Sequence, residues 1–485
     1  MNGKGEASWA AEEFAEVSLG DKRLDARLVT LCDRFSDSPE SPINQACADW
    51  AEAKAAYRFF QNENVKVADI LATHRRKTAD RAMQHKTVLA IQDTSWLVYT
   101  NHPRTEGLGK MSLKKGKNVQ KIYSNGLMVH TCLAVTTEGL PLGLLDQKIF
   151  ARKLRPEHAR GCRGGRDIQG VIPVEEKETY RWLETLITTQ KAMGNTQVVT
   201  VCDREADLYD FFKLSHQLGT AVLVRANANR TINRKSRYAR KGVLKLWDHM
   251  CQQPETGSFT IPIPKRAETK HCKAREARTA TVVVRFGTFR LNPPCNNIKY
   301  RSELLPDIEM NAVYVLEPTP PDGEEAIEWM LLTNLPVRSF DEAYEKVLWY
   351  CLRWRIEMYY KVLKSGFRIE SCRLGHAERL ARYLTVMSIV AWRLFMITLI
   401  ARTDPTIPCT ELLADNEWRV LFLKTHKSRM LPKKPPCLGD IVVWIAKLGG
   451  YLARNSDGPP GTVTLWRGWK RLTDLTEGWN LAVKS

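Results

Sequence analysis

Two apolar runs that each stop on an aspartate constrain this chain more than any other feature. Residues 87–93 read Thr-Val-Leu-Ala-Ile-Gln-Asp, and residues 197–203 read Gln-Val-Val-Thr-Val-Cys-Asp. Neither run alternates apolar with polar side chains over its length, so each predicts a buried strand that opens into a loop at its carboxylate. Further strands are expected over 126–137 and 142–150, with a turn at Glu138-Gly139, followed by a helix over about 175–193. After Asp203, the run Arg204-Glu205-Ala206-Asp207 opens a short helix, and 221–226 reads as another strand. Strands alternating with helices in this order predict a mixed α/β sheet.

The flanks have a different character. Residues 1–75 read as a helical domain, periodic and free of breakers over 10–17, 22–35 and 49–61, with Lys22, Arg23, Arg27, Lys54 and Arg58 as its basic residues. Such a domain is either a DNA-docking module with one basic face or a helical cap on its neighbour. Residues 76–403 form the expected α/β domain. Within it, residues 230–335 read as a β-rich insertion, with strands over 257–264, 279–291, 312–317 and 329–333. Its loops hold Arg234, Lys235, Arg237, Arg240, Lys241, Lys265, Arg266, Lys270, Lys273, Arg275 and Arg278. They would grip a phosphate backbone or simply lie in solvent. Residues 404–485 are again helical, over 411–424, 438–452 and 465–475, with apolar faces that pack on a second copy or on their own chain.

Charge narrows the function classes. Lys and Arg total 73 against 54 acidic residues, a net +19, which favours a polyanionic partner, nucleic acid first and an anionic membrane second. The membrane reading is weak. The first twenty residues carry Glu6, Glu12, Glu13 and Glu16 and no apolar core, so no signal peptide is expected. The long apolar run 383–400 has Arg393 in it and Arg379, Arg382 and Arg402 beside it, which predicts a core helix with snorkelling arginines. Twelve cysteines are scattered singly, with no CxxC pair, so neither a zinc site nor a disulfide framework is expected, and a reducing cytosol fits. No phosphate-binding loop, HExxH or GxSxG motif is present, which removes nucleotide hydrolysis and zinc or serine hydrolysis.

Residues 349–364 contain no Pro or Gly and predict a helix. At about 100° per residue, Arg353, Glu357 and Lys364 fall about 300°, 340° and 320° around from Tyr350, all within roughly 60° on one stripe. One carboxylate among a phenol, a guanidinium and an ammonium suits a phosphate-handling site, or else a solvated charged face. Asp93 and Asp203, at strand ends where α/β sheets gather their ligand sites, would join Glu357 in a cluster of three carboxylates. Such a cluster repels itself unless cations intervene, and oxygen-only ligands favour magnesium or manganese over zinc. Each Asp taken alone is more simply a turn or N-cap residue.

Together, Asp93, the Asp203-Arg204-Glu205-Ala206-Asp207 run and Tyr350-x2-Arg353-x3-Glu357-x6-Lys364 resemble the DDE transposases of the bacterial insertion-sequence-four family, transposon-five type. Gly20-Asp21-Lys22-Arg23 and Ala55-Ala56-Tyr57-Arg58-Phe59-Phe60 resemble that family's N-terminal DNA-binding domain. Leu448-Gly449-Gly450-Tyr451 and Trp466-x-Gly468-Trp469 resemble its C-terminal dimerisation region. The resemblance implies an RNase H-like core with a β-rich insertion between the second Asp and the Glu. Asp203 follows Asp93 by 110 residues and Glu357 follows Asp203 by 154, so the second gap holds the β segment already read from the sequence.

By the same resemblance, Asp93, Asp203 and Glu357 would bind two Mg²⁺ or Mn²⁺ ions and catalyse end nicking, hairpin formation, hairpin opening and strand transfer. Tyr350, Arg353 and Lys364 would hold the DNA strand, and Arg225 would contact DNA. Trp329 would stack an extruded base, or be a core or edge-strand aromatic. The expected partners are double-stranded DNA at transposon ends and target, and a second copy of the chain in a synaptic homodimer, without membrane or nucleotide. The expected location is the bacterial cytoplasm, on the nucleoid. Two alternatives stand beside this reading: a non-catalytic end-binding inhibitor of transposition, and a structure-selective nuclease on the same core.

Overall fold

The computed structural model describes residues 8–113, 122–152, 174–194, 196–234, 243–263, 265, 268, 274–294, 305–411, 413–428, 430–454 and 457–484. The loop bases Lys235, Arg237, Arg240, Lys241, Arg266, Lys270 and Lys273 lie outside the described residues. In chain order the helices are α1 Trp9–Glu13, α2 Lys22–Asp37, α3 Ile43–Ala46, α4 Trp50–Gln61, α5 Val67–Ala82, α6 Tyr180–Met193, α7 Tyr209–Leu218, α8 Leu246–Cys251, α9 Phe340–Cys351, α10 Trp354–Lys361, α11 Ala377–Thr403, α12 Asp415–His426, α13 Leu438–Leu448 and α14 Thr462–Lys484. The strands are β1 Thr87–Val98, β2 Gly109–Leu113, β3 Ile122–Thr136, β4 Pro141–Phe150, β5 Gln197–Cys202, β6 Ala221–Arg225, β7 Thr231–Ile232, β8 Leu244–Lys245, β9 Gly257–Ile263, β10 Arg278–Leu291, β11 Ile308–Leu316 and β12 Glu328–Thr333. The protein is a mixed α/β structure with helical flanks. It divides into two compact units, one from Met1–Gln84, Thr94–Leu154 and Arg355–Ser485, the other from His85–Asp93 and Arg155–Trp354.

In the first unit, the N-terminal helices start where the sequence provides caps. Asp21 accepts the Arg23 N–H at 2.8 Å, and Asp49 accepts the Glu52 N–H at 2.7 Å. Leu28, Leu31 and Phe35 of α2 and Ala53, Ala56, Phe59 and Phe60 of α4 are buried. Phe35 and Phe60 both meet the Tyr383 ring of α11, at 5.9 and 5.6 Å. Helix α11 passes the length and composition test for a membrane span, but 83% of its most apolar window is buried inside the protein. Two of its arginines, Arg382 and Arg393, do not snorkel as expected, whereas Arg402 lies exposed. Arg382 donates to the Val65 and Phe60 carbonyls at 2.8 and 3.1 Å, and Arg393 lies over the Trp9 ring at 4.9 Å, burial bringing its pKa down to about 10. A carbonyl of α4, another in the connection to α5 and an aromatic face on α1 replace the water that snorkelling would seek.

The strands of this unit form an antiparallel meander: β2 pairs with β3, and β3 with β4. Beyond α11, Leu421, Leu438, Ile441, Ile445, Leu465 and Leu472 share one core, so the buried faces of the C-terminal helices pack on their own chain. Trp479, Leu481 and Val483 near the end of α14 remain exposed.

In the second unit, β1 pairs in parallel with β5, and β5 in parallel with β6. The insertion does not fold apart. Its last strand β12 pairs antiparallel with β6, matching Leu331 to Arg225, and β11, β10 and β9 follow in antiparallel order. Phe211, Phe212, Val222, Val224, Met310, Met330 and Leu332 pack into one core beneath these strands and helices α6 and α7. The strand neighbours, β4, β3 and β1 in the first unit and β1, β5 and β6 in the second, are those of an RNase H-like sheet.

Candidate active site

The two aspartates are brought together by register. Thr87 to Ile91 pair with Gln197 to Val201 one for one, a constant offset. Carried two residues further, the same offset sets Asp93 beside Asp203. Residues at equivalent positions on adjacent strands lie about 4.8 Å apart and project to the same face. Asp203 also fills the role its position suggested: it caps the turn Arg204–Ala206 and accepts the Glu205 N–H at 2.8 Å. The same carboxylate therefore shapes its own loop.

Four further residues gather around this pair within the second unit. Arg353 holds Nη1 3.9 Å from the Asp93 carboxylate. Tyr350, buried at the end of α9, hydrogen-bonds Arg225, and its ring meets that of Trp329 edge-on at 5.6 Å. Burial pushes the Tyr350 phenol up and Asp203 adds to this, while Arg353 and Arg225 pull it down. Burial lowers the Arg225 pKa, and Tyr350 opposes that change. Arg225 also donates to the Glu328 carbonyl at 3.0 Å. Asp93, Asp203, Arg225, Trp329, Tyr350 and Arg353 are thus one constellation.

The remaining two predicted residues belong to the first unit. Glu357 is half-buried on α10, and Lys364 donates to the Trp96 carbonyl at 2.8 Å. The single helix expected over 349–364 is interrupted. Leu352 and Arg353 stand between α9 and α10, the Arg353 N–H bonding the Tyr350 carbonyl at 3.0 Å, and α10 runs into a π-helical turn, Val362–Gly366. A uniform 100° per residue does not hold across this break and the π-turn, so the angles of a single straight helix do not describe the fold. Local sequence carries no Pro or Gly to announce the break.

Several supporting residues escaped sequence reasoning. Glu205 reaches back to Arg181 at 2.5 Å, and Asp207 pairs with Arg230 while accepting the Asn227 N–H at 2.7 Å. Glu328, next to Trp329, accepts from Trp247 Nε1 at 2.7 Å and from the Tyr314 hydroxyl at 2.9 Å. These partners lie tens of residues apart in sequence, and only the acidic motif itself gave a signal.

Among the described residues, no group of three or more His, Cys, Asp or Glu side chains stands ready to hold a metal ion. The expected loop at Asp93 is not formed, since β1 continues through it to Val98, whereas Asp203 stands just past the end of β5. The second unit thus supplies two carboxylates, one within β1 and one after β5, whose oxygens suit a hard divalent cation.

Comparison with known families matches three consecutive profiles. Residues 6–65 match a transposase DNA-binding domain, 175–392 a transposase DDE domain, and 389–484 the transposase Tn5 dimerisation domain. The chain belongs to the Tn5-type DDE transposases. It is a DNA transposase, an enzyme class that cleaves and joins DNA and typically works with divalent metal. Every predicted site residue of the transposase except Asp93 falls inside the DDE match. Among solved structures it is similar to a cryo-EM structure of the piggyBac transposase synaptic complex with hairpin DNA. That match has 8% identity and a TM-score of 0.34, covering 97% of this chain and 77% of the other.

Proposed function

We propose that this transposase moves its element by cut-and-paste transposition in the bacterial cytoplasm, nicking each end, forming and opening a hairpin, and transferring the freed strand to target DNA. Residues 1–75 bind the end, 76–403 carry the chemistry, and 404–485 join two copies in the synaptic complex. Asp93, Asp203 and Glu357 would hold two Mg²⁺ or Mn²⁺ ions. When bound, the ions supply positive charge that activates the attacking oxygen and stabilises the leaving one.

The observation that carries this reading is the register that sets Asp93 beside Asp203, with Arg353, Tyr350 and Arg225 around them. Arg353 and Lys364 offer charge-assisted donors to the scissile strand's phosphates, and Tyr350 and Arg225 offer a phenol and a guanidinium. The half-exposed Trp329 indole presents a face on which any extruded base can stack.

Incubation with Mg²⁺ and DNA bearing the native element's ends should yield nicked, hairpin and joined products. Asp93→Ala and Glu357→Ala should still bind the ends and yield none of them. Cleavage by either variant near the wild-type rate would sink the triad. Cut but never joined products would favour a nuclease, and binding without cutting an inhibitor.

A further inference from the structure

Helix α10, which carries Glu357, is pinned along its body and again past its end. The Tyr359 hydroxyl donates to the Ser388 carbonyl and the Tyr360 hydroxyl to the Val129 carbonyl, both at 3.1 Å. Beyond Lys361 the chain makes the π-helical turn Val362–Gly366, in which the Phe367 N–H reaches the Val362 carbonyl at 3.0 Å. A π-turn is rare, concentrates at functional sites and persists only where its surroundings hold it.

What holds this one comes from the far end of the chain. The Trp466 indole of α14 lies directly on Gly366, where an added Cβ would stand 1.8 Å from the ring. The same indole meets the Phe367 ring at 5.7 Å and is only 2% exposed. Its Nε1 has no hydrogen-bond partner, so shape and not polarity accounts for its place there. Trp466 lies in the stretch matched by the dimerisation profile, yet it packs against the turn that bears Lys364.

We infer that Trp466 is a positioning residue for Glu357 and Lys364: by seating its indole on Gly366 it sets the π-turn, so strand cleavage depends on how the C-terminal helix is docked. The inference rests on the proposed function of Glu357 and Lys364. The glycine is required because any side chain at 366 would displace the ring, the turn or both.

The test uses the full chain and end-bearing DNA, comparing Gly366→Ala, Trp466→Leu, Trp466→Phe and the double variant Gly366→Ala/Trp466→Leu. A misplacement near 1 Å costs up to about 100-fold in rate, so Gly366→Ala should slow single-turnover cleavage by about ten-fold or more. End binding without divalent metal should stay within about two-fold of wild type, since no DNA contact is removed. Trp466→Leu should also slow cleavage, and Trp466→Phe should restore most of the rate. The double variant should cleave faster than Gly366→Ala alone, because the smaller side chain makes room for the methyl group. Wild-type cleavage by Gly366→Ala, or a double variant no faster than the single, would overturn the inference. So would a parallel fall in binding and cleavage, which is the mark of lost folding. A wild-type chain that never cleaves in Mg²⁺ or Mn²⁺ would instead overturn the proposed function, and this inference with it.

Discussion

The three acids of the run 203–207 do three different jobs, although they sit within five residues. Asp203 caps its own turn, Glu205 ties that turn to Arg181 on α6, and Asp207 ties it to Arg230 after β6. The Asp207 carboxylate is 1% exposed and also takes the Asn227 N–H, so it closes the loop that follows β6. Asp207→Asn keeps the shape but leaves the Arg230 guanidinium without its counter-charge. Breaking one side of a buried pair costs about 3–5 kcal/mol, and Arg230 is 18% exposed, so the low end of that range is expected. Urea unfolding should show that loss, with part of it recovered by Asp207→Asn/Arg230→Met, which removes the stranded charge. An Asp207→Asn midpoint equal to wild type would mean that water already screens the pair. The sequence showed the acids and not their partners, since Arg181 and Arg230 carry no local mark that distinguishes them from the other basic residues.

At the scale of elements, the legible parts were those that local chemistry dictates. The runs before Asp93 and Asp203 became parallel neighbours, although β1 continues past Asp93 to Val98 where a loop was expected, and α2 and α4 begin at the aspartates that cap them. The break at 352–353 and the π-turn at 362–366 were not legible, because packing imposes them on a stretch whose own propensity is helical. The insertion was legible as strands but not as an extension of the sheet, since pairing Leu331 with Arg225 is a long-range choice. The glycines near the C-terminus belong to the stretch that resembles a dimerisation signature, and they also have a plain internal task. At the crossing of α13 and α14, a Cβ on Gly468 would stand 1.7 Å from the Ile445 carbonyl oxygen, and one on Gly449 1.8 Å from that of Thr464. The two backbones touch, so Gly468→Ala must push the helices apart. Overpacking of this kind costs about 1–3 kcal/mol, and a lower melting temperature should report it. No change in melting would mean that the crossing is loose enough to absorb a methyl group.

At the scale of the whole molecule, a chain with net charge +19 keeps an acidic seam inside its first unit, where the N-terminal and C-terminal segments meet. Asp37 of α2 lies near Asp33 and near Glu417 of α12, and Glu477 of α14 also acts on it. Arg34 and Arg393 are the opposing charges, and Lys470 of α14 donates to the Ser41 hydroxyl at 3.2 Å across the same seam. Burial pushes the Asp37 carboxyl up from 3.8 to about 7, and Glu417 and Asp33 push it the same way. A folded pKa above the unfolded one means that the protonated form favours folding. That contribution is complete below pH 3.8 and is lost as the pH rises through about 7. Asp37→Asn is neutral at every pH and escapes the loss, by an amount on the order of 2 kcal/mol above neutrality. The variant should therefore melt higher than wild type at pH 8, and the gap should narrow at pH 5, where the wild-type carboxyl is already largely protonated. Equal gaps at both pH values would trace the gain to packing, and a variant less stable at pH 8 would mean that Arg34 holds Asp37 ionised. The seam would then be held by ion pairs and not by a proton.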